Sequence, residues 1–342
     1  MLRKFVGLSA AIAIASVAST DVQASSFQQL FSPDVTEQLD KVILDILQRD
    51  NLPSAAVRAS VPGKGSYVFV AGLADIPTQA KRTENQPFRI ASITKTFVAT
   101  AVLQLVDGGK LQKTDLLAKW FPDFPNADTI TIDDLLRMRS GIAAPSDEAV
   151  IDAIYDDPTM PATPLDQQMA QSAKLSDQFK PPDQEGVYTN LNYFILGGIV
   201  ARITGQDVGQ VITTNIIHKL GLRHTTYPTQ EDLRGGLHGY GWNPQTGRFD
   251  DKTRFNPALG GPAGAMISNL TDLERYVRVL CRGGLLKPQT QRARMQGQAL
   301  VGTETQYGEG VITEPGVCGH SGTVPGFSTD MQICPIGRRV RQ

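Results

Sequence analysis

Phe88-Arg89-Ile90-Ala91-Ser92-Ile93-Thr94-Lys95-Thr96-Phe97 decides how the rest of this chain is read. From Ser92 onward the apolar spacing is helical: Phe97, Ala101 and Leu105 recur until Gly108-Gly109 stops them. Positions i and i+3 share a helix face, so Ser92 and Lys95 can meet in a cleft at the helix N-terminus. A free serine is a poor nucleophile and needs an adjacent base. A desolvated lysine can serve as one, because burial disfavours the ammonium form. The helix start adds a positive dipole end and backbone N–H groups for a developing oxyanion.

Two further triplets follow in order, Tyr188-Thr189-Asn190 and His320-Ser321-Gly322. The phenol of Tyr188 can act as general base or acid, so the principal base stays open between Lys95 and Tyr188. The amide of Asn190 can hold Lys95 and the substrate, or can simply cap the helix that Leu191, Phe194, Ile195 and Ile199 mark up to Thr204-Gly205. Gly322 lets a strand backbone approach a ligand closely. The imidazole of His320 offers a pH-dependent charge or hydrogen bond. Nucleophile, proton-handling groups and an oxyanion cradle together equip a chain for acyl transfer through a serine ester.

These segments resemble the penicillin-recognising serine hydrolases: class C β-lactamases, D-alanyl-D-alanine carboxypeptidases of the Streptomyces type, D-aminopeptidases and related esterases. Leu135-Leu136-Arg137-Met138-Arg139-Ser140-Gly141-Ile142, Tyr188 to Gly198, Gly260 to Leu273 and Gly319 to Phe327 resemble the same family, so the likeness spans roughly residues 30 to 335. It implies an α+β fold, an antiparallel sheet flanked by helices beside an all-helical second domain. The expected parts are a discontinuous sheet domain of residues 25–90 and 268–342 and a helical domain of 91–267, with the site at their interface. It also implies catalytic roles for Ser92, Lys95, Tyr188 and His320, and substrate contacts from Asn190, Ser321, Gly322 and Thr323. The N–H groups of Ser92 and Thr323 would form the oxyanion hole. The activity implied is D-alanyl-D-alanine carboxypeptidase-like hydrolysis of small amides or esters, with peptidoglycan stem peptides among the candidate substrates and no cofactor. The alternatives are an esterase or D-aminopeptidase, and a non-catalytic relative acting as a binding module.

Composition agrees with an ordinary globular chain. The 342 residues are 41% hydrophobic with a net charge of −1, which gives no basic field for nucleic acid and no polybasic membrane patch. Arg3 and Lys4, the apolar run Phe5 to Ala18, and Val22-Gln23-Ala24 read as a cleavable signal peptide over residues 1–24. An uncleaved anchor is the competing reading. The expected location is therefore periplasmic or secreted, without a stable membrane anchor after cleavage. Of Cys281, Cys318 and Cys334, the preferred disulfide is Cys318–Cys334, set against three unpaired thiols. His218, His224 and His238 are scattered, and no metal-ligand spacing occurs.

Elsewhere, residues 34–49 form an amphipathic helix, and Ala55 to Val61 with Ser66 to Ala71 form a hairpin around Pro62-Gly63-Lys64-Gly65. Thr131 to Asp134 has the pattern of a capping box. Residues 143–186 read as loops with short helices, Leu270 to Leu280 as a helix, and Gly316 to Cys334 as two strands around a turn.

The resemblance breaks in two places. Streptomyces-type carboxypeptidases carry a carboxylate-binding arginine soon after a Tyr-Gly-x-Gly segment. Here Tyr307-Gly308-Glu309-Gly310 leads to Val311-Ile312-Thr313-Glu314, which puts carboxypeptidase specificity in question. Relatives also continue into a further strand and a C-terminal helix, whereas this sequence stops at Gln342. That strand is expected between the N-terminal hairpin and the strand bearing His320, and Arg338 to Gln342 can only begin it. The expectation is a truncated enzyme that folds poorly, since a missing strand leaves two sheet edges unpaired. Unchanged melting and turnover on adding a family-typical strand and helix would count against it.

Overall fold

The structure is a computed structural model that describes residues 31–334, except 64, 145, 146 and 315, with the side chains of 147–151 left aside. The leader reading and the Arg338 to Gln342 reading lie outside the described residues.

The segment that carries Ser92 is held from two sides. Phe88–Arg89 pairs antiparallel with Ile267–Ser268, and the Ile90 N–H donates to the Met266 carbonyl at 3.0 Å. A short 3-10 turn, Ala91–Ile93, then leads into the helix Thr94–Asp107. That helix is apolar nearly all round and therefore central. It packs against the helices Leu191–Thr204, Val208–Ile212 and Pro257–Gly264. Gly109 ends it in the left-handed region, φ 68°, where a side chain would be strained. The capping box forms as written: Asp134 N–H donates to Thr131 Oγ1 at 3.1 Å, and Thr131 N–H to Asp134 Oδ2 at 2.8 Å.

The sheet elements come from both ends of the described chain. Ser54–Val61, Gly65–Asp75 and Ala80–Lys81 form an antiparallel three-stranded sheet, with the helix Pro33–Arg49 lying against its first two strands. Cys318–Val324 and Phe327–Ile333 form a separate hairpin. Both sheets rest on the helix Leu270–Arg282, where Glu274 accepts from Arg58 at 3.2 Å and from Ser60 at 2.6 Å. Among the described residues no ladder joins them. The His320 strand pairs with Phe327–Ile333 along one edge, and Ser54–Val61 lies at one edge of the three-stranded sheet. A second hairpin, Tyr240–Asn243 with Arg248–Asp251, and a helix Pro288–Arg294 were not read from the sequence.

The disulfide also differs. Cys318 bonds to Cys281 across a Cα–Cα distance of 5.9 Å, and Cys334 is free and exposed. Strand parity explains the change. Cys318 stands opposite Ile333, so Cys334 is one residue past its partner and belongs to the other face. The face that Cys318 shares with His320 looks toward the helix Leu270–Arg282, whose last turn carries Cys281. The bond thus pins the start of the His320 strand to that helix. Cys281→Ser is expected to lower unfolding free energy by about 3 kcal/mol, given the loop it closes. Urea titration with and without reductant checks this; a loss under about 1 kcal/mol would mean the crosslink contributes little.

Candidate active site

Lys95 is fully buried and its amine is the hub of the site. Nζ lies 3.0 Å from Ser92 Oγ, 2.8 Å from Asn190 Oδ1 and 2.8 Å from the Ala263 carbonyl oxygen. The amide and carbonyl oxygens can only accept, so two N–H bonds are committed to them. Of the three oxygens, only Ser92 Oγ can donate a proton in return, so this is the contact through which an unprotonated amine can accept.

Backbone geometry sets the nucleophile. Ala91 stands at φ 47°, an uncommon value for a residue with a Cβ, immediately before Ser92. Thr94 Oγ1 accepts from the Met266 N–H at 3.0 Å and fixes the first helical turn. Gly322 packs directly on this bend. A Cβ there would stand 2.6 Å from both the Ser92 nitrogen and the Ile90 oxygen, so only glycine allows the approach. This contact brings Thr323 alongside Ser92, the pair of backbone N–H groups expected to receive an oxyanion.

Asn190 occupies the N-cap of the helix Leu191–Thr204, yet its side chain makes no capping bond and turns to Lys95 instead. Tyr188, on the loop before it, places its ring centroid 4.9 Å from Lys95 Nζ. The same ring meets Tyr307 edge-on at 6.0 Å and His320 at 6.2 Å. Ser321 and Thr323 are exposed on the opposite face of the strand from His320.

His320 departs from the sequence reading. It is buried, and desolvation together with the Lys95 charge pushes its pKa down from 6.5 to about 3. It is a neutral ring, not a pH-dependent cation. The unfolded chain binds a proton there below about pH 6.5 and the folded chain does not, so stability falls as pH drops through the window toward 3. By pH 5 the loss attributable to His320 is about 2 kcal/mol, and His320→Gln is expected to remove that slope. Urea midpoints at pH 5 and pH 7 for both proteins check the difference.

Several participants carried no sequence signal of their own. Ala263 acts through its carbonyl, which every residue has. Tyr307 entered the sequence reading only as part of a landmark, yet its hydroxyl lies 3.1 Å from His320 Nε2. Among the described residues no cluster of three or more His, Cys, Asp or Glu is placed to hold a metal. None of the described helices is long and apolar enough to cross a membrane.

A serine held by a buried lysine, with an amide on the lysine and a strand backbone pressed on the nucleophile bend, defines a site of the β-lactamase and penicillin-binding class. The chain belongs to the Beta-lactamase family, whose sequence profile matches residues 39–340, and whose members are serine hydrolases. It is similar to Protein flp of Staphylococcus aureus strain MW2, 28% identical over 88% of this chain and 61% of that protein. It is also similar to the putative penicillin-binding protein PbpX of Bacillus subtilis, 28% identical over 72% of this chain and 59% of that one. The chain thus spans about three fifths of the length of these relatives. Among solved structures, it resembles a D-stereospecific amidohydrolase from Streptomyces sp., with TM-score 0.72 and 26% identity over 87% of this chain and 89% of that one. The D-amino acid amidase of Ochrobactrum anthropi SV3 gives TM-score 0.72 and 25% identity, covering 86% of each chain.

Proposed function

We propose that this protein is an exported hydrolase, periplasmic or secreted, that cleaves small amides and esters through an acyl-enzyme on Ser92. Its preferred substrates lack a free carboxylate next to the scissile bond. D-Amino acid amides and esters fit better than peptides ending in D-Ala-D-Ala, the substrates implied by the carboxypeptidase resemblance. The observation that carries this preference is the uncharged His320, which leaves its strand without a cation to meet a carboxylate. No arginine follows the Tyr307–Gly310 turn to replace that charge.

In the reading offered here, Lys95 takes the Ser92 hydroxyl proton as Oγ attacks the substrate carbonyl. The backbone N–H groups of Ser92 and Thr323 receive the oxyanion. Tyr188, beside the amine, delivers its proton to the leaving nitrogen or oxygen as the tetrahedral intermediate collapses, and the Lys95 ammonium passes the serine proton to the phenolate, which resets both groups. Water then repeats the sequence on the ester, frees the acid and returns the proton to Ser92. The buried disulfide supports an oxidising compartment.

The test runs D-amino acid amides, p-nitrophenyl esters, D-Ala-D-Ala peptides and nitrocefin in parallel on wild type and Ser92→Ala. The expected result is hydrolysis of amides and esters at least tenfold faster than of the peptides, lost in Ser92→Ala. Peptides turned over as fast as amides would restore the carboxypeptidase reading. Equal labelling of both proteins by a fluorophosphonate probe, or of neither, would favour a non-catalytic binding module.

A further inference from the structure

The turn Tyr307-Gly308-Glu309-Gly310 is buried polar structure that the acylation steps above do not use. Tyr307 is fully buried. Backbone bridges pair it with Ile312, and Ile312 with Gly319, so the turn is tied to the residue before His320. Gly310 lies against Ala99 and the Lys95 carbonyl on the nucleophile helix.

His320 Nδ1 is 2.5 Å from the Ser321 carbonyl oxygen, and Nε2 is 3.1 Å from the Tyr307 hydroxyl. A carbonyl oxygen only accepts, so Nδ1 carries the proton. Nε2 of the neutral ring is then an acceptor, and the Tyr307 hydroxyl donates to it. Burial holds the Tyr307 phenol well above its ordinary pKa, so it remains a donor throughout the working pH range. The titratable and charged groups facing the imidazole are Lys95, Tyr188 and Tyr307. Of these, only Lys95 can carry positive charge.

We propose that Tyr307 is a positioning residue of the Ser92 reaction: its hydroxyl bond to Nε2, opposite the Ser321 carbonyl that takes the Nδ1 proton, holds His320 in place as an uncharged ring and keeps a second cation away from Lys95. The reaction in question is the one set out under Proposed function. Without the hydroxyl, Nε2 becomes a bare basic nitrogen beside the amine that must act as base. Protonation or a tautomer change there would disturb both the charge and the orientation of the wall along the cleft.

The test uses the full chain labelled with ¹⁵N, following ring nitrogens by long-range proton–nitrogen correlation and assigning His320 from His320→Gln. Wild-type His320 is expected as the Nδ1–H tautomer, unchanged between about pH 5 and pH 8. In Tyr307→Phe the imidazole is expected to change tautomer or to titrate in that range. On whichever substrate the wild type turns over, kcat falls about tenfold with KM within twofold. In a His320→Gln background, the same substitution costs less than twofold, because its effect runs through the imidazole. An Nε2–H or titrating His320 in wild type overturns the proposal. So does a Tyr307→Phe protein with unchanged tautomer and kcat, or an equal kcat loss in both backgrounds, which would assign the ring to packing alone. The spectroscopic arm needs neither substrate nor variant beyond the assignment control. It can overturn the proposal even if Tyr307→Phe fails to fold, and independently of the hydrolase reading.

Discussion

Replacing Lys95 with methionine is expected to slow acylation of Ser92 by roughly 10²- to 10⁴-fold, the range over which a positioned general base contributes. Three contacts support so large a figure. The amine is the group bonded to Ser92 Oγ, and the same nitrogen is fixed by Asn190 and by the Ala263 carbonyl, so its direction toward Oγ is set before substrate arrives. Methionine fills similar volume and keeps the helix packed, but it leaves two buried oxygens without a donor. Each orphan costs about 1–3 kcal/mol, so some loss of stability accompanies the loss of chemistry. The two effects separate by rate. A fluorophosphonate probe should label folded Lys95→Met at least about a hundredfold more slowly than wild type and should not label Ser92→Ala. Labelling within tenfold of wild type would remove Lys95 from the role of base.

What the sequence disclosed, and what it withheld, follows from where each piece of chemistry resides. Ser92, Lys95 and Asn190 announce themselves because their side chains are the reagents and helix periodicity brings the first two onto one face. The nucleophile helix was equally plain, since its apolar run ends at two glycines. Ala263 was invisible, because a carbonyl oxygen leaves no trace in residue identity. The charge state of His320 was misjudged for a related reason. An imidazole on a strand could be wet or dry, and only its burial against Lys95 and Tyr307 makes it neutral.

The cysteine pairing failed on parity, not on proximity. Cys334 directly follows the strand that pairs with the Cys318 strand, but a ladder with Cys318 opposite Ile333 turns the next side chain to the opposite face. Cys281, remote in sequence, shares the correct face. The hairpin around Trp242 was passed over because Tyr240-Gly241-Trp242-Asn243 is short and broken by glycine, which weakens an alternating pattern. Local patterns therefore named candidate residues that the structure brings together, while the groups packed around them came from long-range contacts. Tyr307 and Glu309 belong to this second kind.

Glu309→Ala is expected to lower unfolding free energy by about 3 kcal/mol, at the low end for breaking a buried ion pair. Its carboxylate is wholly buried, and one oxygen accepts from Lys113 at 2.5 Å and from Arg137 at 2.8 Å. Arg137 also bonds Asp133 at 2.9 Å and the Gln296 and Ala293 carbonyls, which keeps the orphaned guanidinium partly compensated and the cost below the maximum. Burial raises the Glu309 pKa despite two neighbouring cations, so the carboxylate is less favoured at this site than in water. Glu309→Gln, which keeps the shape and one accepting oxygen, should therefore stay within about 1 kcal/mol of wild type at pH 7. The sign of the pH dependence follows. In the folded protein Glu309 holds its proton to higher pH than in the unfolded chain, so its contribution to stability is complete below the ordinary carboxylate range and declines as pH rises toward the raised value. The Gln variant lacks that decline and should gain on wild type as pH rises. Urea unfolding of the three proteins at several pH values tests each step. A Gln variant as unstable as the Ala variant would mean that the ion pair, rather than the fit of an accepting group beneath the Tyr307 turn, holds this part of the site together.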